Sequence, residues 1–220
     1  MIKVEKINVC GFETAIRGAR NAMKSWGRSD SYWTYIENPD TGNTAPFQYF
    51  VGENDLDLMR RLYHAGTEHR KYMRQIYVSM DITAPLYWWK EFDTYKVGTT
   101  ENSESTMHTL HKRDLVLGDF SHERLTELSL YCLANTIGVI NQYRQDYMDT
   151  NNREYWYQMI QLLPASFNQM RTVTMNYENV VNMIRQRSGH KLDEWRELVE
   201  ILRGLPYIED ITRKEDAGNE

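Results

Sequence analysis

The stretch from Arg74 to Thr83, RQIYVSMDIT, places Ile76, Val78, Met80 and Ile82 on one face of an extended chain and Gln75, Tyr77, Ser79 and Asp81 on the other. That period of two, with β-branched residues on the apolar side, predicts a half-buried strand. Pro85 then suits the first turn of a helix, where its missing N–H costs nothing, and LYWWKEFDTYK continues it. A strand feeding directly into an aromatic-rich helix must bury both against something. Helices layered on a sheet follow, and we expect an α/β or α+β fold with a mixed sheet flanked by long helices.

The rest of the chain supports that mixture. Ile2, Val4, Ile7 and Val9 alternate as an opening strand, and Gly11 releases the chain into a helical pattern around Ala15, Ile16, Ala19 and Met23. Residues 26–50 are rich in Ser, Asp, Asn, Thr and Gly and read as a long loop, a candidate lid. Asn54 is the expected cap of a helix striped by Leu56, Met59, Leu62 and Tyr63 and ended by Gly66. Residues 121–163 read as helical with a break at 149–152 and a stripe of Leu128, Leu130, Leu133 and Ile137. Beyond Pro164 a short β-like run, RTVTM, leads to Asn176 and two helices over 177–187 and 191–203. We expect one domain over 1–208 and a charged, frayed tail over 209–220.

Composition excludes several functions. A net charge of −5 argues against bulk nucleic-acid binding, which needs a cationic surface. Two cysteines, Cys10 and Cys132, make neither a disulfide framework nor a zinc set and fit a reducing cytoplasm. No run approaches the roughly 18 apolar residues of a membrane span. We therefore expect a cytoplasmic protein with no membrane partner.

Two stretches carry chemistry. From Trp88 to His108, Lys90, Glu91, Tyr95 and Lys96 precede a hydroxyl- and amide-rich run containing Thr99, Thr100, Asn102, Ser103, Ser105 and Thr106. Such groups, with backbone N–H near Gly98, suit phosphate or carboxylate oxygens; a solvated surface loop has the same composition. In TMNYENVVNMIRQR, Asn176, Asn179 and Asn182 fall three apart and Arg187 follows. Amides bond the edge of a pyrimidine or flavin ring, and a fixed cation stabilises an anionic base; a capped helix with a polar face reads identically. His64 and His69 beside Glu68 lack a third ligand at metal spacing, so we expect no metal. Tyr87, Trp88, Trp89 and Phe92 suit core packing better than stacking on a ligand.

These residues resemble the flavin-dependent thymidylate synthases. Ala84-Pro85, then Thr94-Tyr95-Lys96 at the place of an RHR triplet, and Thr99 with Asn102-Ser103-Glu104-Ser105-Thr106-Met107-His108 at the place of an SxNExSxRY loop, carry part of the likeness. Leu163-Pro164, followed by Thr174, Asn176, Val180, Asn182, Ile184 and Arg187 at the spacing TxNxxxLxNxLxxR, carries the rest, and His190 to Arg196 extends it. The resemblance implies FAD, a pyrimidine nucleotide or nucleoside as substrate, and a homotetramer. It implies Arg187 as the arginine that favours ionisation of the base, with Glu91, Ser103, Ser105 and Thr106 also on the substrate side. It implies His69, Lys71, Tyr95, Lys96, Asn176, Glu178 and Asn182 on the cofactor side.

The departures from the family pattern bear on phosphate binding. Family arginines are replaced by Thr94, Met107 and Ile160, the triplet histidine by Tyr95, and a helix glutamine by Glu91. Each lost charge-assisted bond is worth about 1.5–3 kcal/mol. Lys71, Lys90 and Lys96 remain as substitutes. The resemblance thus points to flavin-dependent alkylation or reduction of a pyrimidine nucleotide, with a non-catalytic nucleotide-binding protein as the alternative and an oligomeric protein with a dead site as the third.

Overall fold

A computed structural model describes residues 2–35 and 48–214. Element order is β1 (Lys3–Cys10), α1 (Phe12–Arg20), β2 (Tyr32–Thr34), β3 (Gln48–Phe50), α2 (Glu53–His64), β4 (Tyr77–Pro85), α3 (Leu86–Phe92), β5 (Thr99–Ser103), α4 (Thr106–Thr109), α5 (Glu127–Thr150), α6 (Arg153–Leu162), β6 (Asn168–Asn176), α7 (Tyr177–Arg187), α8 (Asp193–Arg203) and α9 (Ile208–Thr212). Four strands form a sheet in the order β1-β4-β6-β5, and β2 pairs with β3 in a separate hairpin. The main sheet is antiparallel, not mixed. Leu86 N–H donates to Phe167 O at one end of the β4/β6 pair and Tyr177 N–H to Ile76 O at the other.

The alternation that defines β4 holds, since Ile76, Val78, Met80 and Ile82 are all buried. In β1 it fails halfway. Lys6 takes a left-handed conformation (φ 54°), which breaks the two-residue period, and Ile7 is 44% exposed instead of facing inward. Lys3, Glu5 and Lys6 line this outer strand.

The chain divides into two compact units, and the strands β1, β4 and β6 run through the division. The first comprises residues 1–7, 80–173 and 192–194. Its aromatic core is Trp88, Trp89 and Phe92 of α3, in mutual ring contact and fully buried, so the packing reading of that run holds. A second cluster joins Leu133, Ile137 and Ile140 of α5 to Met159 of α6 and to Leu110, Leu115 and Phe120. Asn151 in a left-handed C-cap and Asn152 capping α6 through Glu154 N–H make the expected break between these helices. The apolar stripe of α5 only partly turns inward. Leu133 and Ile137 are buried, whereas Leu128 is 74% exposed, contrary to expectation.

The second unit comprises residues 8–79, 174–191 and 195–220, of which 36–47 and 215–220 lie outside the described residues. Gly11 (φ 99°) opens α1 as expected, and a Cβ there would meet Gln75 O at 2.2 Å, so conformation and space both require glycine. The cap of α2 is not Asn54. Asp30 reaches from 25 residues upstream to accept from Asn54 N–H (2.9 Å) and Asp55 N–H (3.2 Å), above an N-cap Gly52. Part of the predicted loop 26–50 is therefore ordered structure, namely the β2–β3 hairpin with Tyr32 opposite Phe50 and Trp33 opposite Tyr49; the lid reading concerns residues 36–47, outside the described range. The predicted tail begins later than Glu209, because α9 buries Ile208 and Ile211.

One carboxylate ties this unit together. Asp55 is fully buried and accepts from Arg20 Nε (2.5 Å), Ser29 Oγ (2.6 Å), Ser31 Oγ (2.6 Å), Asp30 N (3.3 Å) and Ser31 N (3.2 Å). Burial works against its charge, but the bonds from Ser29, Ser31 and Arg20 outweigh it and hold the carboxyl below its ordinary value.

Candidate functional site

The candidate residues fall into two sets, one in each unit. In the second unit the set is built around α7. Asn176 is both the last residue of β6 and the N-cap of α7, its Oδ1 accepting from Asn179 N–H at 3.0 Å. This is the capped helix foreseen as the plain reading, and it leaves the Asn176 amide N–H2 for another partner. One turn further on, Asn182 is half-buried and makes no hydrogen bond among the described residues, so its amide presents both a donor and an acceptor. At the C-terminus of α7 the Arg187 guanidinium lies over the ring of the fully buried Trp195, 4.6 Å from its centroid, with His190 edge-on to the same ring. A cation at a helix C-terminus, its plane held by an indole, loses little freedom when it meets a ligand.

Glu178 occupies the first turn of α7 but is already engaged. Arg74 Nε donates to its Oε2 at 2.5 Å and Arg70 Nε lies 3.5 Å from Oε1. Its bond to Glu178 raises the pKa of Arg74 further. Glu68 also lies within electrostatic reach of Arg74, so two carboxylates meet the two arginines beside the start of α7. Sequence reasoning passed over both because they precede the alternating strand within a 3-10 helix, Arg70–Gln75. His69 and Lys71 flank and begin this turn, and both are exposed.

In the first unit, residues 97–108 are more ordered than the expected loop. Thr99–Ser103 is β5, held to β6 where Glu104 N–H donates to Met170 O (2.9 Å) and Gln169 Nε2 to Glu104 O (2.7 Å). Ser103 ends the strand, Ser105 is the N-cap residue of α4, and Thr106 begins it. Lys90 and Lys96 are exposed, Glu91 is half-buried, and Tyr95 is half-buried with its ring 6.3 Å from that of Phe92. The strongest cation of this set was missed. Arg171 Nη1 donates to Asp93 and Glu101 at 2.8 Å each, and its guanidinium covers Trp89 at 4.3 Å. A signal existed: Arg171 shares the strand face of the buried Gln169, Val173 and Met175, where a charge needs partners. With two carboxylates against it, Arg171 is no free phosphate clamp.

Among the described residues no three His, Cys, Asp or Glu side chains gather as metal ligands, and no helix is long and apolar enough to cross a membrane. Cys10 and Cys132 are free and exposed.

No family model and no curated protein matches the sequence. Solved structures do. Thymidylate Synthase X (ThyX) from Helicobacter pylori, crystallised with FAD and dUMP, superposes with a TM-score of 0.66 at 17% identity over 96% of both chains. The UMP/dUMP methylase PolB from Streptomyces cacaoi, bound with 5-Br UMP, gives 0.59 at 15% identity, covering 92% of this chain and 87% of that one. The fold is therefore that of the flavin-dependent thymidylate synthases. This chain shares it with ThyX and PolB over most of its length, at a sequence distance where only the fold is common ground.

Proposed function

We propose that the protein binds a pyrimidine nucleotide and FAD and carries out thymidylate-synthase-type alkylation or reduction of the base in the cytoplasm. Arg187 carries the reading. A permanent, planar cation held against Trp195 can donate two parallel bonds to the base and stabilise negative charge as N3 ionises. Asn182 and the remaining donors of Asn176 fit the edge of a flavin ring, and Arg70 and Arg74 supply the guanidinium donors nearest the start of α7. In the family this chain resembles, the flavin supplies hydride and relays the one-carbon unit without a protein nucleophile. Within the first unit, Lys96, Ser103, Ser105 and Thr106 offer donors of the kind that suit phosphate oxygens.

The test is titration of purified protein with FAD and with dUMP or UMP, following flavin absorbance and thermal stability. Both ligands should raise the melting temperature. Arg187→Ala should weaken nucleotide binding about ten- to a hundredfold, the equivalent of one charge-assisted contact, while FAD affinity stays near wild type. Absence of any flavin-induced shift would sink the proposal. A non-catalytic nucleotide carrier is the second reading, favoured by the neutralised Arg171; substrate-dependent reoxidation of reduced flavin separates the two.

We also propose self-association as a homotetramer. On α5, Leu128 (74% exposed), Tyr131 (66%), Cys132 and Val139 share one stripe on the outside of the helix, an apolar face that another copy would cover. Sedimentation should give four times the 26.2 kDa chain, and Leu128→Glu with Val139→Lys should reduce it to smaller species. A wild-type monomer at micromolar concentration would refute this.

A further inference from the structure

The second unit contains a cavity of about 470 Å³ between the C-terminal end of α2, the outer stripe of α7, the end of α8 and α9. Its charge runs against that of the chain. Arg185, Arg203 and Arg213 line it with one carboxylate, Glu209, an excess of two positive charges in a protein whose net charge is −5. Arg203 is bound to Glu200 at 3.0 Å, but Arg185 and Arg213 form no ion pair among the described residues. Arg185 and Arg213, without an ion pair of their own, are the two cations an added anion would join.

The walls are preset. His64 Nε2 donates to Arg213 O at 2.8 Å and Arg213 N–H to Glu209 O at 2.9 Å, so the backbone carrying Arg213 is fixed from both sides. The floor is apolar, made by Val181, Ile184 and Ile208, with the Tyr63 ring beside it. Val181 and Ile184 turn away from Asn182, whereas Arg185 stands one turn beyond it and Arg70 covers the Tyr63 ring, so the cavity opens beside the proposed flavin site.

We propose that this cavity binds a phosphate monoester of mononucleotide size, its phosphate bridged by Arg185 and Arg213 and its organic body resting on the apolar floor. With Arg203 held by Glu200, the two guanidiniums without an ion pair, Arg185 and Arg213, face the roughly −1.5 to −2 of a monoester at neutral pH, and the volume lies within the roughly 300–1,000 Å³ of small-molecule sites. Arginine forks suit phosphate oxygens, and the surplus space above Val181 and Ile184 exceeds what a bare anion needs.

The experiment uses the full chain carrying Arg187→Ala, which weakens the proposed nucleotide site, and titrates AMP, adenosine and inorganic phosphate by calorimetry at fixed ionic strength. AMP should bind more tightly than phosphate, and adenosine weakest. Adding Arg185→Gln or Arg213→Gln should weaken AMP about tenfold or more each, with an unchanged circular-dichroism melt showing that the variant is folded. Lys112→Gln, away from the cavity, should change nothing. AMP affinity unaffected by either arginine substitution, or no AMP binding at all, overturns the assignment; phosphate binding as tightly as AMP overturns the organic body.

Discussion

Asp55→Ala should cost about 3–5 kcal/mol of folding stability, the usual penalty for leaving one member of a buried ion pair without its partner. The Arg20 guanidinium, 5% exposed, would remain buried, and both Ser29 and Ser31 would lose their acceptor. Against a typical total of about 5–15 kcal/mol, this is enough to unfold a large fraction of molecules. The effect has a pH signature. Because the folded carboxyl is held below its ordinary 3.8, its contribution is complete above that pH and fades as pH falls through the folded value. The gap between wild type and Asp55→Asn in urea denaturation should thus be constant from neutral pH to about 5 and narrow below 4. A gap that widens on acidification would contradict the direction of the shift.

Trp195→Ala is the second large effect. The indole is fully buried in the second unit among Leu198, Val199 and Leu202 of its own helix, and its deletion leaves a cavity that costs about 3–5 kcal/mol. It also removes the surface on which Arg187 rests, worth a further ~0.5–2 kcal/mol. Trp195→Phe keeps a ring under the guanidinium and should recover most of the stability. In nucleotide titrations, Trp195→Phe should weaken binding less than Arg187→Ala does. If the phenylalanine variant were as unstable as the alanine one, volume alone would explain the position and the stacking would be incidental.

What could be seen in the sequence was whatever depended on neighbours in the chain. The inward set of β4, the helix after Pro85 and the break at Asn151–Asn152 all follow from spacing and caps within a few residues. β5 escaped notice because TTENS has little strand preference; its pairing with β6, visible only in three dimensions, overrides composition. Asp30 and Asp55 escaped for the same reason, since their partners lie about 25 positions away. Within the candidate site, Asn176 announced itself as a cap and Arg187 by its distance from the asparagines. The engagement of Glu178 by Arg70 and Arg74, and of Arg171 by Asp93 and Glu101, depends on which strand lies beside which helix, and no local pattern encodes that.

The left-handed Lys6 bears on how copies of this chain meet. An outer strand exposes a row of unpaired backbone groups on which a second chain can extend the sheet, and such growth has no natural end. In β1 the kink interrupts the row, and Lys3, Glu5 and Lys6 would bring ionic side chains against any newcomer. Edge-to-edge stacking into fibres is thereby discouraged, a condition that the proposed assembly through the exposed stripe of α5 needs in order to close at a defined size.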